Sequence, residues 1–268
     1  LIKRDPGRYK GAAYINTVES DLNAGLAAEQ LGLKLHLAAV GDKWILLRIA
    51  TLIAGVRLKP LKQKAAIALR RKLNALQRTG ILDVHEFRKI EEAIDRFPQR
   101  EPLTIPLAVG SEETGHNITV GWLDTEKGIR VPVFFGNGLK SALNTFAATN
   151  YLTKGKAVRA CFSYLERPFK PGFKQTYYVY YVIKELFHAN SAVWKQVKKR
   201  LFDEGKKLGY LCALTHFRED PDMLYVTLEP RHGTRGKMAG VFVRNSGTEN
   251  KIGVNLRGDQ RDAGKLKL

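Results

Sequence analysis

The segment Arg244-Asn245-Ser246-Gly247-Thr248-Glu249-Asn250-Lys251 brings together a guanidinium, two hydroxyls, a glycine and an ammonium. These groups suit a phosphate dianion. Arg244 can donate a bidentate fork, Ser246 and Thr248 can each donate a hydroxyl, and Gly247 lets backbone N–H groups turn toward an anion. Asn245 and Lys251 complete the candidate phosphate-binding set. The apolar runs Gly240 to Val243 and Ile252 to Val254 on either side predict strand, tight loop, strand. Composition alone leaves a second reading open, a hairpin turn whose charges face water.

A second chemistry-bearing turn is Gly110-Ser111-Glu112-Glu113-Thr114-Gly115-His116, between an apolar run ending at Val109 and a strand-like segment from Asn117 to Trp122. A carboxylate and a hydroxyl two residues apart in a glycine-flanked turn can face one ligand. Glu112 would accept sugar hydroxyl protons, and Thr114 would donate or accept. An exposed acidic turn accounts for the same residues.

The first loop resembles the phosphate-binding loop in the last domain of the α-D-phosphohexomutases, Arg-x-Ser-Gly-Thr-Glu-Pro-Lys, with Asn250 in place of Pro. The second is similar to the sugar-binding loop of their third domain, Gly-Glu-x-Ser-Gly-His. Glu112, Thr114, Gly115 and His116 fall on its positions, Thr114 replacing Ser, and the resemblance places His116 near the sugar. A third segment, Ala38-Ala39-Val40-Gly41-Asp42-Lys43-Trp44-Ile45, resembles the other active-site loop of that domain and implies that Lys43 points at the sugar ring or its phosphate. A strand-to-helix turn with a solvated lysine explains that segment equally well.

The loops occur in the family's order, and the resemblance runs from about Gly11 to Leu256. It implies the third and fourth domains only. The family's phosphoserine loop, Thr-Ala-Ser-His-Asn-Pro, and its Mg²⁺ motif, Asp-Gly-Asp-x-Asp-Arg, do not occur in this sequence. The acidic groups Glu91-Glu92 with Asp95, and Glu219-Asp220 with Asp222, lack the glycines and arginine of that motif. Phosphoryl transfer needs a nucleophile, in-line positioning and charge neutralisation. The expectation is therefore a chain that binds a hexose phosphate, with no catalytic residue and no metal site of its own. Mg²⁺ and a bisphosphorylated sugar activator are implied only for a complete family member, which transfers phosphoryl between C1 and C6 of a hexose with the help of N-terminal domains. Two further readings stand beside this one. One is a non-catalytic phosphosugar-binding protein, and the other a basic scaffold for nucleic acid or an acidic partner.

The scaffold reading comes from charge. Lys and Arg number 45 against 26 Asp and Glu, a net +19, a surplus typical of chains that meet polyanions. Much of it lies in Arg57 to Arg78 and in Lys195 to Lys207. Neither segment carries a nucleic-acid motif. Apolar residues Leu61, Ala65, Leu69, Leu73 and Leu76 give the first helical periodicity, and Val193, Val197 and Leu201 the second. Leu at position 1 implies a processed chain or a fragment. The longest apolar stretch, Ile49 to Val56, is too short to span a bilayer. Cys161 and Cys212 lie far apart in apolar surroundings, which predicts buried thiols, and the six histidines show no zinc-ligand spacing. The expected location is the cytoplasm.

The elements that must position these loops read as two domains. The first, 1–166, is expected to be an α/β domain: a mixed sheet with flanking helices and an inserted helical hairpin at about 57–98. It opens with a strand at Ala12 to Asn16, a helix at Ser20 to Leu31 capped by Ser20, and a strand from Leu33. The hairpin's second helix is expected from Val84 to Phe97, with Gly80 and a capping box Asp83-x-x-Glu86 before it. A helix from Gly138 to Tyr151 follows the sugar-type loop. The second domain, 167–268, is expected to be a smaller α+β domain with helices on one face of an antiparallel sheet. Tyr177, Tyr178, Tyr180 and Tyr181 are expected to pack within that sheet.

Overall fold

The computed structural model describes the chain except residues 1–5, 79–83, 98–105, 114, 127, 129, 156–158, 160–168, 218, 232–238, 248 and 268. It divides into two compact units. One comprises Leu1–Ser20, Ala24–Leu73 and Val84–Lys170; the other comprises Asp21–Asn23, Asn74–Asp83 and Pro171–Leu268. Each holds its own five-stranded sheet.

The first unit contains helices α1 (Pro6–Tyr9), α3 (Asp42–Leu58), α5 (Val84–Ile94) and α6 (Gly138–Thr153), with most of α2 (Leu22–Gln30) and α4 (Lys64–Arg78), whose residues 22–23 and 74–78 fall in the second unit. Its strands are β1 (Ala13–Thr17), β2 (Lys34–Ala38), β3 (Leu107–Ser111), β4 (Asn117–Asp124) and β5 (Arg130–Gly136). The sheet order is β2-β1-β3-β4-β5. β1 runs parallel to both neighbours, while β3-β4 and β4-β5 are antiparallel, so the sheet is mixed. Alternation along β1 and β2 separates two faces. Ala13, Ile15 and Ala38 pack with Ile45 and Ile49 of α3 in a buried cluster. Leu35, one residue out of phase, lies against Gly25 of α2, where an added Cβ would meet its methyl at 2.7 Å. Helices therefore cover both faces of the parallel part.

Several elements differ from the sequence expectation for physical reasons. The basic run from Arg57 is not one helix: α3 ends at Leu58 and α4 begins at Lys64. Pro60 lies between them, and its ring and missing N–H interrupt a helix. The buried stripe of α4 runs through Ala66 and Leu73, with Ala65 exposed. The α2 cap is Asp21, whose carboxylate accepts from the Asn23 N–H at 2.8 Å, while the Ser20 hydroxyl bonds to Thr17 at 3.3 Å. Strand β5 was not anticipated. It lies at the sheet edge, where Pro132 is tolerated despite its missing donor. Gly80, the Asp83 capping position, Cys161 and the 166/167 boundary lie outside the described residues.

The second unit contains β6 (Phe173–Tyr180), a 3₁₀ turn (Lys184–Leu186), α7 (Ala192–Lys207), β7 (Tyr210–Thr215), β8 (Leu224–Pro230), β9 (Ala239–Asn245), β10 (Lys251–Gly258), a second 3₁₀ turn (Gln260–Asp262) and α8 (Ala263–Leu266). Its sheet, β6-β10-β9-β8-β7, is antiparallel throughout. Ser191 caps α7 by accepting from the Trp194 N–H at 3.2 Å, and the buried Trp194 packs into a core with Leu224, Val226, Val241 and Val243. The four tyrosines at β6 do not pack as expected. β6 is an edge strand, and Tyr177, Tyr178, Tyr180 and Tyr181 are all exposed.

Candidate functional site

In the first unit, β3 and β4 form a hairpin in which Ser111 pairs with Asn117. Its loop closes when the Glu112 N–H donates to the His116 carbonyl at 2.9 Å and the Gly115 N–H to the Glu112 carbonyl at 3.1 Å. Gly115 has φ +89°, a left-handed conformation that favours glycine. This tight closure sets Glu112 and His116 opposite each other, with His116 Nδ1 3.6 Å from Glu112 Oε2. Asp42, in the first turn of α3, enters from the other side, its Oδ2 3.2 Å from the same nitrogen. One ligating atom from each of Asp42, Glu112 and His116 lies within 4.8 Å of the others.

The site falls where the sheet changes direction. β2 and β3 flank β1 on opposite sides and all three run parallel, so the β2–α3 turn and the β3–β4 loop leave the same end of the sheet. Carboxyl ends of parallel strands at such a switch point form the crevice in which open α/β sheets bind ligands. The Glu112 side chain is 11% exposed, Asp42 32% and His116 59%, so the cluster grades from a shielded carboxylate to an exposed imidazole. Gly136 of β5 backs the cluster, and a Cβ there would sit 3.0 Å from Asp42 Oδ2.

Lys43 is exposed, with its ammonium over the Trp44 ring at 4.7 Å. Thr114 lies outside the described residues. Sequence reasoning missed Asp42, which stood beside Lys43 in the quoted segment. The available signal was an acid at a helix start directly after a strand, where the helix dipole favours a carboxylate.

The second unit holds the Arg244 loop between β9 and β10, the expected strand-loop-strand. The Ser246 N–H donates to the Lys251 carbonyl at 3.0 Å, and the Glu249 N–H donates to the Ser246 hydroxyl at 3.2 Å. Asn245 is turned inward, its amide nitrogen donating to the Phe187 carbonyl at 2.8 Å. Gly247 is absent from the glycines of positive φ, and Thr248 lies outside the described residues. The backbone N–H groups of Ser246 and Glu249 are thus committed within the loop.

Three cations surround the loop. Arg244 Nε lies 3.5 Å from Asp220 Oδ2. Lys251 pairs with Glu249, a hydrogen bond that raises the lysine pKa, and sits over the Tyr178 ring at 4.2 Å. Lys184 donates to the carbonyls of Ser246 and Glu249, each at 3.0 Å. Lys184 carried no sequence signal, because only folding brings it to this hairpin.

The other acidic groups have local roles. Asp222 accepts from the Ala189 N–H at 2.7 Å, Glu92 pairs with Arg88 along α5, and Asp95 pairs with Arg57 at 2.8 Å. Cys212 is half-buried, and burial pushes its thiol pKa up. No helix among the described residues is long and apolar enough to cross a membrane. No protein-family model matches the sequence, and no curated protein matches it significantly.

Proposed function

We propose that the chain binds a phosphorylated hexose without isomerising it, as the sugar- and phosphate-recognising half of an α-D-phosphohexomutase would. The observation that carries this reading is the position of the Glu112 loop at the switch point of the first unit's sheet, where small ligands bind. Glu112 is a well-shielded acceptor for sugar hydroxyls, and His116 stands at the mouth beside it. Phosphate recognition is assigned to the Arg244 hairpin, which carries Arg244 and Lys251 and whose carbonyls Lys184 bonds. A phosphate dianion carries more charge than either carboxylate, so it competes with Asp220 and Glu249 for these cations. The family reading rests on the three loop resemblances, and the reading of binding without turnover rests on the phosphoserine and Mg²⁺ motifs not occurring in this sequence.

Calorimetric titration of metal-free protein with glucose 1,6-bisphosphate tests the proposal. Arg244→Ala removes a charge-assisted donor and is expected to weaken binding about 10- to 100-fold. Glu249→Gln frees Lys251 and is expected to strengthen it a few-fold. Equal affinity for wild type and Arg244→Ala would remove the phosphate loop from the mechanism.

A further inference from the structure

We propose that Asp42, Glu112 and His116 form a binding site for a divalent cation of the zinc class. Two carboxylates and an imidazole close together admit two explanations. In one, a protonated His116 bridges the acids through Nδ1. In the other, Nδ1 and the two carboxylates share a cation.

The distances fit coordination. Ligand atoms about 2.0–2.1 Å from a tetrahedral zinc lie about 3.3 Å apart. Here Nδ1 is 3.2 Å from Asp42 Oδ2 and 3.6 Å from Glu112 Oε2. Both values sit close to the tetrahedral edge, and the two carboxylate oxygens lie within 4.8 Å of each other. A bridging imidazolium fits the first distance but is long for a hydrogen bond at the second.

A second observation separates the explanations. Asp42 Oδ1 is buried and has no hydrogen-bond partner among the described residues. An imidazolium held on Oδ2 leaves that oxygen unsatisfied, at the usual cost of an unpaired buried acceptor. A cation held bidentately by Asp42 would take Oδ1 into its coordination shell together with Oδ2.

The donor set, one imidazole nitrogen and two carboxylate oxygens, suits Zn²⁺, and Mn²⁺ takes the same donors more weakly. Three protein ligands leave a coordination position for an oxygen of water or of a bound hydroxyl compound. The inference stands on these three side chains and holds whether or not the chain binds a phosphosugar.

The test uses the full chain, stripped with chelator and titrated with Zn²⁺ alone against a chromophoric competitor. One equivalent is expected to bind at this site, and Glu112→Gln and His116→Ala should each weaken it about ten-fold or more. In wild type, substoichiometric Mn²⁺ should broaden the His116 ring resonances before those of the other histidines, a readout that needs no variant. Unchanged Zn²⁺ affinity in both variants, an absence of saturable binding, or broadening that begins at another histidine would overturn the proposal. Because no sugar is present, failure here is distinct from failure of the phosphosugar reading, which is measured on metal-free protein with Arg244→Ala.

Discussion

Glu112 and His116 were legible because they close one hairpin loop: residues at the two ends of a tight turn must meet once the turn forms. Asp42 joins them only because β2 and β3 flank β1, a neighbourhood that no local pattern encodes. A similar logic governs His36 on β2. Burial, then the charges of Arg48 and Lys34, hold its pKa below the ordinary 6.5. The unfolded chain takes up that proton before the folded one. Its contribution to stability is therefore complete above about pH 6.5 and is lost as pH falls through the lowered folded value. Denaturant midpoints measured between pH 7.5 and 5 should fall, and His36→Gln should flatten the slope. An identical slope in the variant would exclude His36 as its source.

Among the elements, α3 joins the fold to the site. Its Ile45 packs under the β3–β4 hairpin, one turn from Asp42, and an added Cβ on Gly110 would meet the Ile45 methyl at 2.5 Å and Ile118 Cβ at 3.3 Å. Ile45 and Ile118 are fully buried, leaving little room to yield. Gly110→Ala should cost about 1–3 kcal/mol by overpacking, measurable by urea denaturation. A variant as stable as wild type would show that α3 and the hairpin can separate freely. Periodicity located α4 and α7, and capping signals located α5, but neither gave a sign of the edge strand β5. β5 was missed because Pro132 interrupts its strand signal. β6 was read correctly as a strand, yet its tyrosines lie exposed because position in a sheet is a non-local property.

For the whole molecule, the net charge of +19 is the feature the phosphosugar reading absorbs least. In the first basic segment Arg70 is turned inward, donating to the Leu61 carbonyl at 2.8 Å, while Lys62, Lys64, Arg71 and Lys72 face solvent. Such a surface predicts non-specific binding to duplex DNA whose affinity falls at least about ten-fold between 50 and 200 mM salt by counterion release. Fluorescence anisotropy on labelled DNA checks this, and Arg71→Gln with Lys72→Gln should weaken it across sequences. Salt-independent, sequence-selective binding would instead mark a dedicated nucleic-acid protein.

Sequence alone determined what depends on local chemistry: the charge balance, the amphipathic helices, the two loops rich in phosphate- and hydroxyl-binding groups, and the missing phosphoryl-transfer motifs. Tertiary structure decided which groups meet. It set Asp42 beside Glu112 and His116, brought Lys184 to the Arg244 hairpin, and opposed Asp220 to Arg244. Helical period and turn chemistry act over a few residues and leave a mark in the sequence. Strand order acts across the chain through the burial of whole faces, and it is strand order that carried Asp42 to the Glu112–His116 hairpin.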